Sequence, residues 1–297
     1  MVDSIINTNK IEEADVVIVS ASYEKTASSR KGTIHGPNGV MKMLDSKLEL
    51  FDRKYKLELT DKINIAHKDL GKISSLSPEK VLAKITNEAS KILDKNQFIF
   101  LLGGEHSVSL GLLSALSKKI KPKDVTILQI DAHCDLRDND GDYNDDPSNL
   151  AHSCVMRRAH ELGYNLVQVG IRTYSKAEYQ YFSNPKNKII TWQWGNGTKI
   201  PKISDILKSI KTKYVYITID VDGFDPSVMP GTGTAVQGGL DWWYGVELIE
   251  SVIDGKELIA ADIVEVSPMQ DSILTEYGSA QLLYTMLAHK FQNRLKK

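Results

Sequence analysis

The chain has 297 residues, of which 37 are Lys or Arg and 38 are Asp or Glu, so its formal net charge is −1. This balance gives no electrostatic signature for a nucleic acid or an anionic membrane partner. The sequence shows no secretory signal, no apolar run long enough to span a bilayer, and only two cysteines, too few for a disulfide framework. We therefore expect a soluble cytoplasmic protein.

Short apolar, β-branched runs predict eight strands along the chain. In chain order they cover residues 15–20, 62–66, 97–102, 125–130, 166–171, 188–192, 214–219 and 258–266. Apolar residues at helical spacing predict helices between or after these runs, at residues 78–93, 204–210, 245–253 and 279–294. Because strands that alternate with helices form βαβ units, we predict one α/β domain over residues 1–297 with a mainly parallel sheet of about eight strands.

Polar segments follow four of the predicted strands at their carboxyl ends. They are residues 103–106, residues 131–135, residues 220–225 and Glu265. Ligands of open parallel sheets bind outside the carboxyl ends of the strands. The sequence therefore predicts a functional site at this edge of the sheet.

Two of these segments carry metal-ligand side chains at every second residue. Asp131, His133 and Asp135 alternate in the first segment, and Asp220 and Asp222 in the second. In an extended backbone such residues point to one face, where several carboxylates would repel one another unless cations lay between them. Two metal ions could share so many carboxylates more readily than one, so we predict a dinuclear site.

His106 completes a candidate set of six metal ligands that contains four carboxylates, two imidazoles and no thiolate. The members are His106, Asp131, His133, Asp135, Asp220 and Asp222. An oxygen-rich set with two imidazoles favours Mn²⁺, with Co, Ni or Fe as alternatives. Two ions about 3.5–4 Å apart would lower the pKa of a shared water from about 15.7 towards 7, so the set predicts metal-assisted hydrolysis.

Several motifs resemble the signatures of the ureohydrolase family, which comprises arginases, agmatinases and their relatives. The main motifs are Gly-Gly-Glu-His-Ser at 103–107, Asp-Ala-His-Cys-Asp at 131–135 and Thr-Ile-Asp-Val-Asp-Gly-Phe-Asp-Pro at 218–226, with further matches at 230–234 and 264–268. The resemblance implies a three-layer α/β/α sandwich and two Mn²⁺ ions per subunit. It also implies hydrolysis of a small guanidino substrate to urea and an amine, in a homotrimer or homohexamer.

The resemblance further implies a role for each matching residue. Asp131 and Asp220 would bridge both ions, His106 and Asp135 would complete the shell of one ion, and His133 and Asp222 that of the other. The residues expected to take part in catalysis are His152, Glu265 and Asp135. Glu265 would accept hydrogen bonds from the guanidinium group, His152 would protonate the departing amine, and Thr234 would orient the substrate.

The sequence identifies the substrate less specifically than it identifies the type of reaction. The Leu136-Arg137-Asp138 step and the run at 151–158 resemble the agmatinase branch, so agmatine is the favoured substrate, with putrescine and urea as products. The acidic loop after Asp138 could attract such a dication, although by default it is a solvated loop. This loop is longer than usual for agmatinases, and Ala235 replaces the usual Pro, so we expect a remodelled substrate pocket. The alternatives are an arginase, a guanidino-acid hydrolase acting on guanidinobutyrate or guanidinopropionate, and a non-catalytic homologue that binds a guanidino or amine ligand.

Structural explanations compete with some of these roles. Single candidate ligands could be turn or cap carboxylates, Glu265 could be a surface acid, and His152 could stand at the start of a helix. For six ligands considered together, a purely structural explanation is disfavoured. The alternation that aligns the ligands directs Cys134 towards the core, so we expect it to pack there rather than bind metal.

Overall fold

A computed structural model describes residues 4–195 and 197–295, and a parallel sheet forms its centre. The strands, in chain order, are β1 (Val16–Ala21), β2 (Phe51–Asp52), β3 (Leu57–Glu58), β4 (Ile65–Asp69), β5 (Phe98–Gly103), β6 (Val125–Ile130), β7 (Asn165–Ile171), β8 (Ile190–Gln193), β9 (Tyr214–Asp220) and β10 (Glu257–Val264). Eight of them form one sheet in the order β4-β1-β5-β10-β9-β6-β7-β8, in which every neighbouring pair is parallel. β2 and β3 form a separate antiparallel hairpin.

Helices cover both faces of this sheet. In the described ranges they are α1 (Gly36–Ser46), α2 (Pro78–Leu93), α3 (Ser109–Leu116), α4 (Val155–Glu161), α5 (Lys176–Phe182), α6 (Ile203–Ser209), α7 (Trp242–Gly255), α8 (Leu274–Lys290) and α9 (Gln292–Leu295). Side chains of α1, α6, α7 and α8 share one hydrophobic cluster with the sheet, and side chains of α2 to α5 share a second one. The predicted three-layer α/β/α sandwich is therefore confirmed. None of these described helices is both long and apolar enough to cross a bilayer.

The strands of the sheet are mostly apolar because both faces of the sheet are covered. In β1, Val16 and Ile18 pack into the cluster on one face, while Val17 and Val19 pack into the cluster on the other. A strand that is buried on both faces loses the alternation of polar and apolar residues seen in half-exposed sheets. Short apolar runs in the sequence therefore predict these strands.

All eight predicted strands overlap strands of the sheet, but several boundaries were wrong. The strand predicted at 62–66 is Ile65–Asp69, and the strand predicted at 258–266 ends at Val264. The helix predicted at 78–93 is α2, in which Pro78 stands in the first turn, where its missing N–H costs nothing. The closing helix predicted at 279–294 begins earlier, at Leu274, and is divided at Phe291 into α8 and α9.

Four of the described helices were not predicted from the sequence, namely α1, α3, α4 and α5. α3 is buried on nearly every side, so its apolar residues do not show a helical period. α4 and α5 have only seven residues each, which is too short for a periodic pattern to stand out. α1, in contrast, has an apolar face that includes Val40, Met41 and Leu44, so its pattern could have been recognised.

Candidate metal centre and active-site cleft

The six predicted metal ligands and Glu265 lie at the carboxyl ends of four strands that are neighbours in the middle of the sheet, in the order β5-β10-β9-β6, whereas His152 and Thr234 lie on other loops. Asp220 is the last residue of β9, and Asp131 and Glu265 directly follow β6 and β10. His106 begins a short 3₁₀ turn after β5. Because parallel strands end at the same edge, the order of strands in the sheet brings together residues that are far apart in the chain.

The backbone that carries the ligands is not the extended chain that the sequence predicted. β6 ends at Ile130, and Asp135 lies in the left-handed region with a φ of 51°. Asp222 lies in the 3₁₀ turn Val221–Gly223 rather than in a strand. Glu265 is also left-handed, with a φ of 61°. Turns, not a period of two, therefore direct these side chains, and such backbone angles at non-glycine residues are uncommon and concentrate at functional sites.

One group of ligands surrounds the imidazole of His106. Its Nδ1 lies 2.9 Å from Asp135 Oδ2, 3.2 Å from Asp131 Oδ2 and 3.7 Å from Asp220 Oδ2. His106 and Asp131 are completely buried, and Nδ1 forms no hydrogen bond of acceptable geometry despite these short distances. A buried nitrogen that faces three carboxylates without a hydrogen bond is suited to a cation between them.

A second group surrounds His133 and shares Asp131 with the first. His133 Nδ1 lies 3.0 Å from Asp222 Oδ2 and 3.6 Å from Asp131 Oδ1. Asp131 thus directs one carboxylate oxygen to each group. His106, Asp131 and Asp135 form one set of potential ligands, and Asp131, His133 and Asp222 form another.

The electrostatics of the clusters also favour bound cations. Burial, reinforced by the carboxylates of Asp222 and Asp131, raises the pKa of Asp220 well above its ordinary value. Burial raises the pKa of Asp135 as well, with the charge of Asp131 adding to the effect. Carboxylates that cannot all ionise together in a buried site can do so around two divalent cations. The donor set, which is rich in oxygen and contains two imidazoles, fits such ions.

Buried groups behind His106 fix its orientation. Its Nε2 lies 2.9 Å from Thr218 Oγ1, and this hydroxyl donates to Asp262 Oδ1 at 2.5 Å. Tyr216 donates its hydroxyl to the same carboxylate. Since the Thr218 proton is committed to Asp262, His106 must donate from Nε2, which leaves the lone pair of Nδ1 for a metal.

Asp131 is held in place in a similar way. Gln129 Nε2 donates to Asp131 Oδ2 at 2.7 Å, and the backbone N–H of His133 donates to Asp131 Oδ1 at 2.6 Å. Gln168 Nε2 in turn donates to Gln129 Oε1 at 2.6 Å. These bonds fix the carboxylate plane before any ligand binds.

The turn that carries Asp222 packs directly against the segment that carries Asp131. A side chain at Gly223 would place its Cβ 2.6 Å from the backbone nitrogen of Asp131, so only glycine allows this approach. Arg172 also stabilises this turn, because its guanidinium donates to backbone carbonyls that include those of Asp222 and Phe224. The two halves of the metal centre are thereby fixed relative to each other.

The candidate catalytic residues line one cleft of about 410 Å³ together with ligands of both groups. The cleft is lined by Asp135, His152, Asp220, Asp222, Thr234 and Glu265, among others. Glu265 Oε1 accepts the backbone N–H of His106 at 2.8 Å, and burial raises the pKa of Glu265 well above its ordinary value. Thr234 is exposed on the wall of the cleft. The cleft is in the size range that binds small molecules.

Several residues that shape the site were missed by sequence reasoning. Asp262 could have been found, because a carboxylate inside an otherwise apolar strand must have a buried partner. Thr218, Thr26 and Arg172 gave no comparable signal. The loop after Asp138 was expected to be solvated, but Asp140 within it is buried and accepts the backbone N–H of Ser148 at 2.5 Å. Cys134 is buried, as expected.

Comparisons of sequence and of structure with known proteins agree with one another. The sequence profile of the arginase family matches residues 14–288. The N(1)-aminopropylagmatine ureohydrolase of Synechocystis sp. is 31% identical over 290 residues, which cover 96% of this chain and 92% of that protein. The agmatinase of Bacillus subtilis is 32% identical over 291 residues, which cover 93% and 92%. The crystal structure of the agmatine ureohydrolase of Thermoplasma volcanium superimposes with a TM-score of 0.84 at 28% identity, covering 99% of this chain and 96% of that one.

Proposed function

The chain belongs to the arginase family, and we propose that it hydrolyses agmatine to putrescine and urea. It is an agmatinase-like ureohydrolase, an amidinohydrolase that acts on C–N bonds of linear amidines. One observation carries the choice of residues: two groups of metal-ligand side chains share Asp131 beside a cleft that His152 and Glu265 also line.

We propose that two Mn²⁺ ions are held by the six residues of the two groups. His106 and Asp135 would bind one ion, His133 and Asp222 the other, and Asp131 and Asp220 would contact both. The distances from His106 and His133 to the carboxylates support the shared role of Asp131 and place Asp220 beside His106. When bound, two such ions would supply the activation of a water molecule for attack on the guanidino carbon.

Glu265 is proposed to orient the guanidinium group. A carboxylate can accept two parallel N–H bonds from a guanidinium, which fixes the plane and the central carbon of the substrate. Oε1 of Glu265 is anchored by the backbone N–H of His106, so the carboxylate has a fixed position relative to a proposed metal ligand. Burial raises the pKa of Glu265, and a cationic substrate would favour the ionised form.

His152 is proposed to deliver the proton that the departing amine requires. An amine is a poor leaving group unless it is protonated, and an imidazole is the side chain best suited to this transfer near neutral pH. His152 lies on the wall of the same cleft as Asp135 and Glu265. Thr234, which is exposed on that wall, would orient the substrate through its hydroxyl.

N(1)-aminopropylagmatine is a second candidate substrate, since relatives of this chain carry that name. Tyr143 and Tyr174 line the cleft, and both are exposed. Arg137 also lines it, but this guanidinium is paired with Asp142 and stacks on the ring of Tyr143 at 4.6 Å. The two exposed rings could bind the two ammonium groups of the longer tail by cation–π contact.

Urea release from the Mn²⁺-loaded protein tests this proposal. Agmatine, N(1)-aminopropylagmatine, arginine and 4-guanidinobutyrate would be compared in parallel by kcat/KM, with Asp131→Asn as the inactive control. Highest activity on agmatine would support the first candidate, and highest activity on the aminopropyl derivative would support the second. Preference for arginine or guanidinobutyrate, or no urea from any of the four, would refute the proposed substrate class.

We also propose that the enzyme is cytoplasmic and assembles as a homotrimer or homohexamer. Both cysteines, Cys134 and Cys154, are buried free thiols, as suits a reducing compartment. Every proposed metal ligand comes from one chain, so assembly is not needed to complete the metal centre. Light scattering coupled to gel filtration measures the assembly, and a monomer would contradict the proposal.

A further inference from the structure

We propose that Glu105 and Thr26 fix the ring tautomer of His152, with the proton on Nδ1, so that Nε2 is the nitrogen that exchanges protons in the cleft. This inference rests on the proposed function, in which His152 serves the departing amine. It assigns Glu105 and Thr26 as positioning residues, since neither is proposed to touch the substrate. Three successive hydrogen-bonding steps carry it.

The first step is the carboxylate of Glu105, which is completely buried. Its Oε2 accepts the backbone N–H groups of Lys25 and Thr26 at 2.6 and 2.7 Å. Its Oε1 accepts the hydroxyls of Thr26 and Ser107 at 2.8 and 2.6 Å. A carboxylate surrounded by four donors accepts from each of them, so the hydroxyl proton of Thr26 is committed to Glu105.

The second step is the hydroxyl oxygen of Thr26. The backbone N–H of His152 donates to it at 3.0 Å, and His152 Nδ1 lies 3.2 Å from it. Because its own proton points to Glu105, this oxygen can only accept from the ring. Nδ1 must therefore carry a hydrogen, which is the same reasoning that fixes ring tautomers beside carboxylates in other catalytic sites.

The third step is the opposite nitrogen of the ring. His152 Nε2 lies 3.3 Å from the hydroxyl of Ser28, and both residues line the cleft. In a neutral ring with hydrogen on Nδ1, Nε2 has a free lone pair that can accept a proton. The Ser28 hydroxyl can rotate, so it can donate to Nε2 or accept from it. The Thr26 hydroxyl cannot rotate in this way, because its proton is donated to Glu105.

The residues that position His152 are also connected to the metal centre. Glu105 directly precedes His106, and three of its four bonds hold the loop around Thr26 against this turn. Without the Thr26 hydroxyl, the N–H at Nδ1 would have no hydrogen-bond acceptor, so the ring would no longer favour the tautomer with hydrogen on Nδ1. The backbone fold of the loop would keep the two N–H bonds to Glu105.

Thr26→Val, Thr26→Ser and Thr33→Val provide the test. Thr33 is a matched control, because its hydroxyl donates to the carboxylate of Glu24 at 3.0 Å in the same loop, without a hydrogen bond to His152. For Thr26→Val we expect kcat for urea release to fall about 10- to 100-fold with KM within about twofold, as a partial loss of proton-transfer catalysis. Thr26→Ser should restore most of kcat, and Thr33→Val should leave it unchanged.

A direct readout of the tautomer separates this inference from the proposed function. Nitrogen-15 NMR of the metal-free protein, with the His152 signals assigned from His152→Asn, reports which ring nitrogen carries hydrogen. We expect hydrogen on Nδ1 in the wild type and in Thr26→Ser, and a shift towards Nε2 in Thr26→Val. An unchanged tautomer in Thr26→Val, or an equal fall of kcat in Thr33→Val, would overturn the inference. Absence of urea release from the wild type would refute the function while leaving the NMR result decisive for the tautomer.

Discussion

Replacing Asp131 with Asn removes the carboxylate that the two ligand groups share while leaving the side-chain size almost unchanged. The amide oxygen can still accept the backbone N–H of His133, which lies 2.6 Å from Oδ1 in the native site. The amide nitrogen, however, replaces the oxygen that accepts Gln129 Nε2 at 2.7 Å and faces His106 Nδ1 at 3.2 Å. Two donors then face each other, which costs about 1–3 kcal/mol of folding stability.

The loss of metal binding is expected to be larger than this direct cost. An ion present at 1,000 times its Kd stabilises the folded state by about 4 kcal/mol. The entropy of unfolding, about 2.1 cal/mol/K per residue, is about 0.6 kcal/mol/K for 297 residues. Each ion bound under these conditions should therefore raise the Tm by about 6–7 °C. In Asp131→Asn most of this gain should disappear for both ions, together with urea release.

Differential scanning calorimetry with and without Mn²⁺, combined with metal analysis of the purified protein, measures this effect. Asp145→Asn is the matched control, because it removes one negative charge from an exposed loop position. The control should keep the full Tm gain and the full activity. An Asp131→Asn protein that keeps a wild-type Tm gain and still releases urea would refute the shared-carboxylate reasoning.

Three further predictions concern the same site. Glu265→Gln keeps an acceptor for the His106 N–H but loses its charge, so kcat/KM should fall about 10- to 150-fold while the metal content stays unchanged. Loss of metal would contradict the proposal that Glu265 binds substrate rather than metal. Thr218→Val interrupts the chain between His106 and Asp262, and Mn²⁺ affinity by titration calorimetry should fall about 10- to 100-fold; unchanged affinity would contradict the assigned tautomer of His106. Burial raises the pKa of Asp220 and of Glu265, so the folded metal-free protein holds protons that the unfolded chain loses near pH 4. The free energy of unfolding of the metal-free protein should therefore fall as the pH rises from about 5 to 8, and the Tm gain from Mn²⁺ should grow; a metal-free Tm that rises over this range would disprove the sign.

The sheet was predictable because burial on both faces favours short, mostly apolar strands. Runs such as Val125–Ile130 and Tyr214–Asp220 carry that signal in their own composition. Short or fully buried helices carry no such signal, and α3 is the clearest case, because a helix that is apolar on every side has no amphipathic period. The fold class could therefore be read from the strands even though four of the nine helices in the described ranges were not predicted.

The candidate ligands could be named from spacing, but alternation in an extended chain does not account for all of them. Asp131, His133 and Asp135 were expected to alternate, as were Asp220 and Asp222, whereas Asp135 has a left-handed backbone and Asp222 lies in a 3₁₀ turn. Local sequence does not reveal such backbone angles, because non-glycine residues adopt them only when the surrounding structure enforces them.

The types and spacing of the ligand side chains establish the chemistry available to this protein, because four carboxylates and two imidazoles at the ends of buried strands suit divalent metal ions. How these groups are used depends on the fold. The strand order β5-β10-β9-β6 brings His106, Glu265, Asp220 and Asp131 to one edge. The supporting partners come from distant segments, as when Thr26 meets His152 and Thr218 meets His106. Such contacts depend on packing between elements far apart in the chain, so spacing along the sequence could not specify them.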